Sequence, residues 1–129
     1  YTPPTFKLYD RCNSVLVKEI DVSELKSRID EGANIRLLDI RSDAEVAAGA
    51  LPNAEHLAMH LIPLKMQEFS ADPDQEVILY CRSGARSYHA CMYLMQQGID
   101  NVINLRGGII SWAQQGLEIA APLRSTGTY

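Results

Sequence analysis

Residues 77–87 read VILYCRSGARS and predict a buried strand that ends at a cysteine and continues into a helix. The first four residues are apolar or aromatic, which is typical of a short interior strand. The turn after the cysteine is short and contains one glycine and two arginines, and a helical pattern begins near Ser87. A strand that leads through a tight turn into a helix is the repeating unit of α/β domains.

The cysteine in this turn, Cys81, is a candidate nucleophile. A loop that leads into a helix N-terminus directs unpaired N–H groups and the positive end of the helix dipole toward one space. These groups stabilise a thiolate more than a thiol, so we expect a lowered pKa for Cys81 and a loop that binds an oxyanion. Most free cysteines are packing residues. Arg82 and Arg86 favour the reactive alternative, because two neighbouring cations are costly unless an anion neutralises them.

The composition narrows the possible partners. The chain has 129 residues, of which 47% are hydrophobic and 22% charged, as in an ordinary globular domain. A net charge of -4 argues against a nucleic-acid or membrane partner, so the two arginines form a local basic spot suited to a small anion. We expect a cytoplasmic protein, because no apolar run or leader pattern is present. The periplasm remains an alternative because the native N-terminus is not visible before Tyr1.

The three cysteines do not indicate a disulfide framework or a metal site. Cys12, Cys81 and Cys91 are an odd number without C-x-x-C spacing. Cys91 lies in the predicted helix after the loop, ten residues beyond Cys81, which is too far along a helix for a disulfide between them. We predict that Cys91 belongs to the core and that Cys12 is a spectator.

Strands and helices alternate along the chain, which predicts an α/β domain on a mostly parallel sheet. We place an N-terminal arm or linker at residues 1–18, the domain at 19–118 and a C-terminal tail at 119–129. In such sheets ligands bind beyond the carboxyl ends of the strands, where we expect Cys81 to meet Asp39 and Arg41. Strands are predicted at 15–17, 35–41, 55–58, 77–80 and 102–105, and helices at 22–31, 43–48, 62–69, 85–97 and 109–115.

Four motifs in this order resemble a single-domain rhodanese, a sulfurtransferase, over about residues 20–117. The resemblance implies a five-stranded, mostly parallel sheet with helices on both faces. The motifs are LDIR at residues 38–41 followed by Glu45, GALPNA at 49–54, YCRSGARS at 80–87, and NLRGG at 104–108 followed by Trp112 and Gly116.

The resemblance also implies a reaction in two steps. The Cys81 thiolate attacks the outer sulfur of a donor such as thiosulfate, expels sulfite and becomes a persulfide. An acceptor, which is cyanide, a thiol or a protein thiol, then removes that sulfur. The resemblance implies no metal or organic cofactor, and we expect a monomer or weak dimer. The implied substrate-binding residues are Arg82, Ser83, Gly84, Ala85 and Arg86.

Three residues outside the loop are expected to support it. Asp39 and Arg41 are interpreted as an ion pair with no direct part in the chemistry. Glu45 could pair with Arg86 and brace the loop, or Arg86 could instead contact the substrate anion. The sequence leaves both roles of Arg86 open.

Three different functions compete with sulfur transfer. Related phosphatases and arsenate reductases have five residues between the cysteine and the arginine, whereas Cys81 and Arg86 are separated by four, a loop too tight for a tetrahedral phosphate. The domain could also be a non-catalytic binding module or a sulfur-relay subunit.

The chain departs from the family pattern at three positions. Tandem-domain thiosulfate enzymes carry lysine at the position of Ser83 and arginine at that of Glu45, so the identity of the sulfur donor stays open. Ala50 replaces the usual histidine of the second motif.

Overall fold

The computed structural model describes residues 16–120, which form five strands and five α-helices. A 3-10 turn, Met59–Leu61, leads into the third helix. In chain order the elements are β1 (Glu19–Ile20), α1 (Val22–Asp30), β2 (Ile35–Asp39), α2 (Asp43–Ala47), β3 (Glu55–His56), α3 (Ile62–Ala71), β4 (Glu76–Tyr80), α4 (Ala85–Gln96), β5 (Val102–Leu105) and α5 (Gly108–Gln114).

The five strands form one sheet in the order β1-β5-β4-β2-β3, and each neighbouring pair is parallel. The predicted α/β architecture is therefore confirmed. The central strand is β4, which pairs with β2 on one edge and β5 on the other. A strand paired on both edges and covered on both faces needs an unbroken apolar run, which is what residues 77–80 supply.

Helices cover both faces of the sheet, as expected, and the side chains of β4 alternate between them. Val77 and Leu79 pack with α3 and α4 in one hydrophobic cluster, and Cys81 belongs to the same cluster. Ile78 and Tyr80 pack on the other side with α1 and α5. This alternation places the Cys81 sulfur on the face of the sheet where α4 begins.

The first strand does not lie where the sequence indicated. Residues 16 and 17 are not in a strand and Leu16 is 77% exposed, whereas Val15 lies outside the described residues. The strand β1 begins two residues further on, where Asn104 and Arg106 of the β5 edge donate backbone hydrogen bonds to the carbonyls of Lys18 and Ile20. Pairing with β5, rather than the run of apolar side chains, decides where this strand forms.

Other predicted boundaries also need correction. The strand predicted at 35–41 ends at Asp39, because the backbone N–H of Arg41 turns back to bond the Asp39 carboxylate at 3.0 Å. The strand predicted at 55–58 has only two residues, Glu55–His56. The helix predicted at 62–69 continues to Ala71 and stops before Pro73, which disfavours a helical conformation for the residue that precedes it.

Candidate active site

The loop after β4 is shaped by a glycine. Gly84 has φ +100, and a Cβ on this residue would lie 3.2 Å from both the Gly107 nitrogen and the Leu105 carbonyl oxygen. This left-handed conformation is open to glycine without steric cost. It lets the chain turn from β4 into α4 and directs the Gly84 N–H at the Cys81 sulfur, 3.2 Å away.

The Cys81 sulfur lies almost fully buried in a cradle of hydrogen-bond donors. Its residue is 1% exposed, and the Ser87 hydroxyl oxygen lies 3.5 Å from the sulfur. Burial raises the pKa of Cys81, whereas hydrogen bonds to the thiolate lower it; these come from the Ser87 hydroxyl, when its hydrogen turns toward the sulfur, and from the backbone N–H groups of Ser87, Gly84 and Arg86. The donors outweigh the burial, so the pKa lies below its ordinary value. The expected lowered pKa therefore has a structural cause in the loop and in the first turn of α4.

The N-terminus of α5 holds the other side of this loop. The N–H groups of Ile109 and Ile110 donate to the carbonyls of Cys81 and Arg82 at 3.0 and 3.1 Å. A Cβ on Gly108, which has φ +57, would lie 2.5 Å from both of these carbonyl oxygens. The two backbones can approach this closely only because Gly108 has no side chain. In the sequence, the glycine pair at residues 107–108 is the one signal of this contact.

Arg86 is paired with Glu45 of α2. The two guanidinium nitrogens donate to the two carboxylate oxygens at 3.0 and 2.9 Å. The hydrogen bond from Arg86, together with that from the Ser42 backbone, lowers the pKa of Glu45 to about 2. Ser42 and Glu45 also form a capping box at the start of α2. Of the two roles considered for Arg86, this geometry favours bracing of the loop.

Asp39 and Arg41 form a buried ion pair, 1% and 5% exposed, at the end of β2. The closest guanidinium–carboxylate distance is 2.6 Å, and Arg41 also donates to the Gly49 carbonyl at 2.6 Å. The Tyr80 hydroxyl donates to Asp39 at 2.6 Å and accepts from the Leu51 N–H at 3.1 Å. The pair therefore ties β2, β4 and the turn after α2 together. The role of Tyr80 was not visible in the sequence, where it reads only as the last apolar residue of a strand.

Arg82, Ser83 and Ala85 lie exposed at the mouth of the loop. Arg82 lines one groove with Ile109 and Ile110 of α5, and Arg86 lines a second groove across the loop. Within residues 16–120, Arg86 pairs with a carboxylate and Arg82 does not. Arg82 is therefore the loop cation that is better placed to meet an anion.

Behind the sulfur lies a polar chain that the sequence did not reveal. Ser87 and Asn104 are buried, and the Ser87 hydroxyl donates to the Asn104 side-chain oxygen at 2.5 Å. The Asn104 side-chain nitrogen donates to Glu19 of β1 at 2.8 Å. A polar residue inside the apolar strand VINL was the available signal, since buried polar groups are normally hydrogen-bonded.

The second cysteine of the described range is a core residue, as predicted. Cys91 is 0% exposed, and both Cys81 and Cys91 are free thiols. Burial and the nearby Glu19 carboxylate raise the pKa of Cys91 to about 12, so it is unreactive at neutral pH. Cys12 lies outside the described residues. Residues 16–120 bring together no set of three acidic, histidine or cysteine side chains that could hold a metal ion, and none of their helices is both long and apolar enough to cross a membrane.

Several known proteins are similar to this chain in sequence and in fold. The family model described as a rhodanese-like domain matches residues 21–115. A sulfurtransferase of Allochromatium vinosum is 55% identical over 107 residues, which cover 83% of this chain and 98% of that protein. A rhodanese-like domain protein from Staphylococcus aureus has a TM-score of 0.70 and 34% identity, over 81% of this chain and 100% of its own. A thiosulfate sulfurtransferase from Pseudomonas aeruginosa has a TM-score of 0.75 and 25% identity, over 81% of this chain and 20% of its own.

Proposed function

Because this chain belongs to the rhodanese-like domain family, we propose that it is a sulfurtransferase that works through a persulfide on Cys81. The donor is a small anion that carries a sulfane sulfur, such as thiosulfate, and the acceptor is a thiol, a protein thiol or cyanide. The observation that carries the proposal is the position of the Cys81 sulfur, which faces the donors of its own loop and has a lowered pKa. The relatives named as sulfurtransferases support the same reaction class.

The reaction balances without a metal, an organic cofactor or an external redox partner. The Cys81 thiolate attacks the sulfane sulfur of thiosulfate, a new S–S bond forms, and the old S–S bond breaks with its electron pair on sulfite. The outer sulfur of the persulfide then carries the negative charge. In the second step the acceptor attacks this sulfur and the Cys81 thiolate leaves, ready for another cycle.

The loop stabilises charge at both stages. The backbone N–H groups of Gly84, Arg86 and Ser87 donate to the Cys81 thiolate. The outer sulfur of the persulfide would lie next to the same donors, which therefore stabilise the negative charge of the thiolate and of the persulfide. Arg82 meets the oxyanion of the donor at the mouth of the loop, together with Ser83 and Ala85. Arg86 holds the loop against α2 through Glu45. Asp39 and Arg41 keep the neighbouring strand end in place.

The geometry favours sulfur over phosphate chemistry. Four residues separate Cys81 from Arg86, and the Arg86 guanidinium already binds both oxygens of Glu45. An arginine that binds a phosphate commonly does so through two parallel hydrogen bonds. Here that bidentate interaction is made within the protein.

The intact mass of the protein tests the proposed function. Incubation with thiosulfate is expected to add the mass of one sulfur atom, and cyanide or a small thiol is expected to remove it. A second incubation with mercaptopyruvate, and a third with a persulfidated protein, identify the donor if thiosulfate fails. If none of the three donors adds sulfur to Cys81, the proposed function is wrong and the domain is a binding module.

The reactivity of Cys81 is expected to depend on pH in the range set by its lowered pKa. A thiolate reacts and a thiol does not, so alkylation by iodoacetamide should rise with pH and level off earlier than for a free cysteine, whose pKa is about 8.5. The profile is measured by peptide mass spectrometry, with an unstructured cysteine peptide as the control. A midpoint at or above that of the control peptide would contradict the donor cradle.

A further inference from the structure

A continuous chain of hydrogen bonds runs from the active-site sulfur to a side chain on the edge strand. It passes from Cys81 to Ser87, then to Asn104 of β5, and ends at Glu19 of β1. The sheet register creates its last link, because Glu19 and Asn104 lie opposite each other in the pairing of β1 with β5. Glu19 is partly exposed, whereas the three other members are buried.

The Ser87 hydroxyl has one hydrogen and two acceptors beside it. The Asn104 oxygen lies 2.5 Å from the hydroxyl oxygen, and the Cys81 sulfur lies 3.5 Å from it. A hydroxyl can donate only once, although its oxygen can still accept. While the Ser87 hydroxyl donates this hydrogen to the Asn104 oxygen, a lone pair of the serine oxygen faces Cys81. That lone pair can accept a hydrogen bond from the S–H of a thiol. A thiolate instead needs the hydrogen for itself.

The orientation of the Asn104 amide decides which acceptor receives the hydrogen. Its NH₂ group donates to the Glu19 carboxylate at 2.8 Å and to the Gly84 carbonyl at 3.3 Å. Both partners are acceptors, so the reversed amide would place an oxygen against two oxygens. The NH₂ group must therefore face Glu19, and the amide oxygen must face Ser87 and take its hydrogen.

We propose that Glu19 and Asn104 are positioning residues that hold the Ser87 hydroxyl hydrogen away from Cys81 and thereby limit formation of its thiolate. The chain keeps the resting cysteine closer to the thiol than the loop donors alone would. When the thiolate forms, the Ser87 hydroxyl rotates toward the sulfur, and the Asn104 side-chain oxygen loses its hydrogen bond from Ser87. Glu19, which reaches the sulfur only through Asn104 and Ser87, in this way tunes the nucleophile at a distance.

Few charged or titratable groups in the described residues surround this chain. Arg86 interacts with Cys81 from α4, and Cys91 of the same helix lies near Glu19. On the other side, Arg106 lies 3.8 Å from Glu19 and 3.9 Å from Asp21. The α5 residues that contact the loop, Gly108 to Ile110, are uncharged. Glu19 is therefore the carboxylate that acts on the Asn104 amide.

The substitution Glu19→Gln tests the proposal. The glutamine can present its own NH₂ group, which leaves the longer contact to the Gly84 carbonyl, at 3.3 Å, as the acceptor that still opposes reversal of the Asn104 amide. The reversed amide donates to Ser87 and releases the serine hydrogen to Cys81. The midpoint of Cys81 alkylation by iodoacetamide is expected to fall by about one pH unit, a tenfold increase in thiolate at a given lower pH. Peptide mass spectrometry follows Cys81 separately from the other cysteines. Thermal unfolding verifies that the variant is folded.

A matched control separates the hydrogen bond from the charge. Asp21→Asn removes one negative charge beside the same Arg106 and keeps an acceptor for the Glu24 N–H at the start of α1. This variant should move the midpoint far less than Glu19→Gln. Equal shifts in the two variants would overturn the proposal.

A second arm tests the route through the serine. In a Ser87→Ala background the hydroxyl is absent, so adding Glu19→Gln should leave the midpoint where Ser87→Ala alone puts it. If Glu19→Gln shifts the alkylation midpoint by the same amount in the Ser87→Ala background as in the unaltered protein, the proposal is wrong. If Ser87→Ala does not fold, the comparison of Glu19→Gln with Asp21→Asn tests the proposal. This proposal rests on the proposed function only for its effect on turnover. Because alkylation of Cys81 needs no sulfur donor, the experiment can contradict this proposal without contradicting the proposed function.

Discussion

Replacing Cys81 by serine is expected to reduce sulfur transfer to the uncatalysed background while the domain stays folded. A serine hydroxyl keeps its proton at neutral pH and cannot carry a sulfane sulfur as a persulfide, so both steps of the proposed reaction are lost. The new hydroxyl would lie where the Gly84 N–H and the Ser87 hydroxyl already meet the sulfur. These groups can hydrogen-bond it, so burying the hydroxyl should cost little stability.

Two measurements are needed for this variant, the transfer rate from thiosulfate and the gain of sulfur in the intact mass. Cys91→Ser is the matched control, because it makes the same replacement at a fully buried cysteine that no loop donor contacts. It is expected to lower stability by about 1–3 kcal/mol and to leave transfer largely unchanged. Transfer by Cys81→Ser at a rate comparable to the unaltered protein would show that the chemistry does not pass through this sulfur.

Replacing Gly108 by alanine is expected to slow transfer about a hundredfold, although Gly108 contacts no reacting atom. The new Cβ would lie 2.5 Å from the carbonyl oxygens of both Cys81 and Arg82. Backbone cannot give way as a flexible side chain can, so α5 must move away from the loop. The hydrogen bonds from Ile109 and Ile110 to these carbonyls would then lengthen, and the peptide groups around the sulfur would lose their fixed orientation.

The control for Gly108→Ala is Gly116→Ala, at the other end of α5. Gly116 also has a positive φ, +75, but a Cβ there would meet no atom within 4 Å among the described residues. Both variants carry the backbone strain of alanine in a left-handed conformation, about 1 kcal/mol or more. Only Gly108→Ala displaces the loop. Equal losses of activity, at equal losses of melting temperature, would mean that backbone strain explains the result and the contact with the loop does not.

The sequence alone was sufficient for the architecture and for the choice of a candidate nucleophile. The apolar run at residues 77–80 predicts a central strand because such a strand must be buried on both faces. The turn after it predicts a helix N-terminus beside Cys81, since both features depend on neighbouring residues. The capping box of Ser42 and Glu45 and the burial of Cys91 could be predicted for the same reason.

The sequence was less informative where a contact depends on the placement of distant elements. The first strand was predicted at 15–17 from its apolar residues, but it forms at Glu19–Ile20, where the edge of β5 offers hydrogen bonds. Arg86 could have contacted substrate or Glu45, and the two partners of the pair that forms are 41 positions apart in the sequence. No local pattern specifies the distance between such groups.

What the sequence determined by itself is the order of strands and helices, the central strand and the cysteine at its end, because each follows from periodicity and turn chemistry within a few residues. Only the tertiary structure decided that α5 hydrogen-bonds to the loop carbonyls, that Glu45 forms an ion pair with Arg86, and that Glu19 lies opposite Asn104. These contacts arise from sheet register and helix docking, which are set by the packing of the whole domain. The environment of the Cys81 sulfur is therefore a property of the fold, whereas its position at the end of a strand is a property of the sequence.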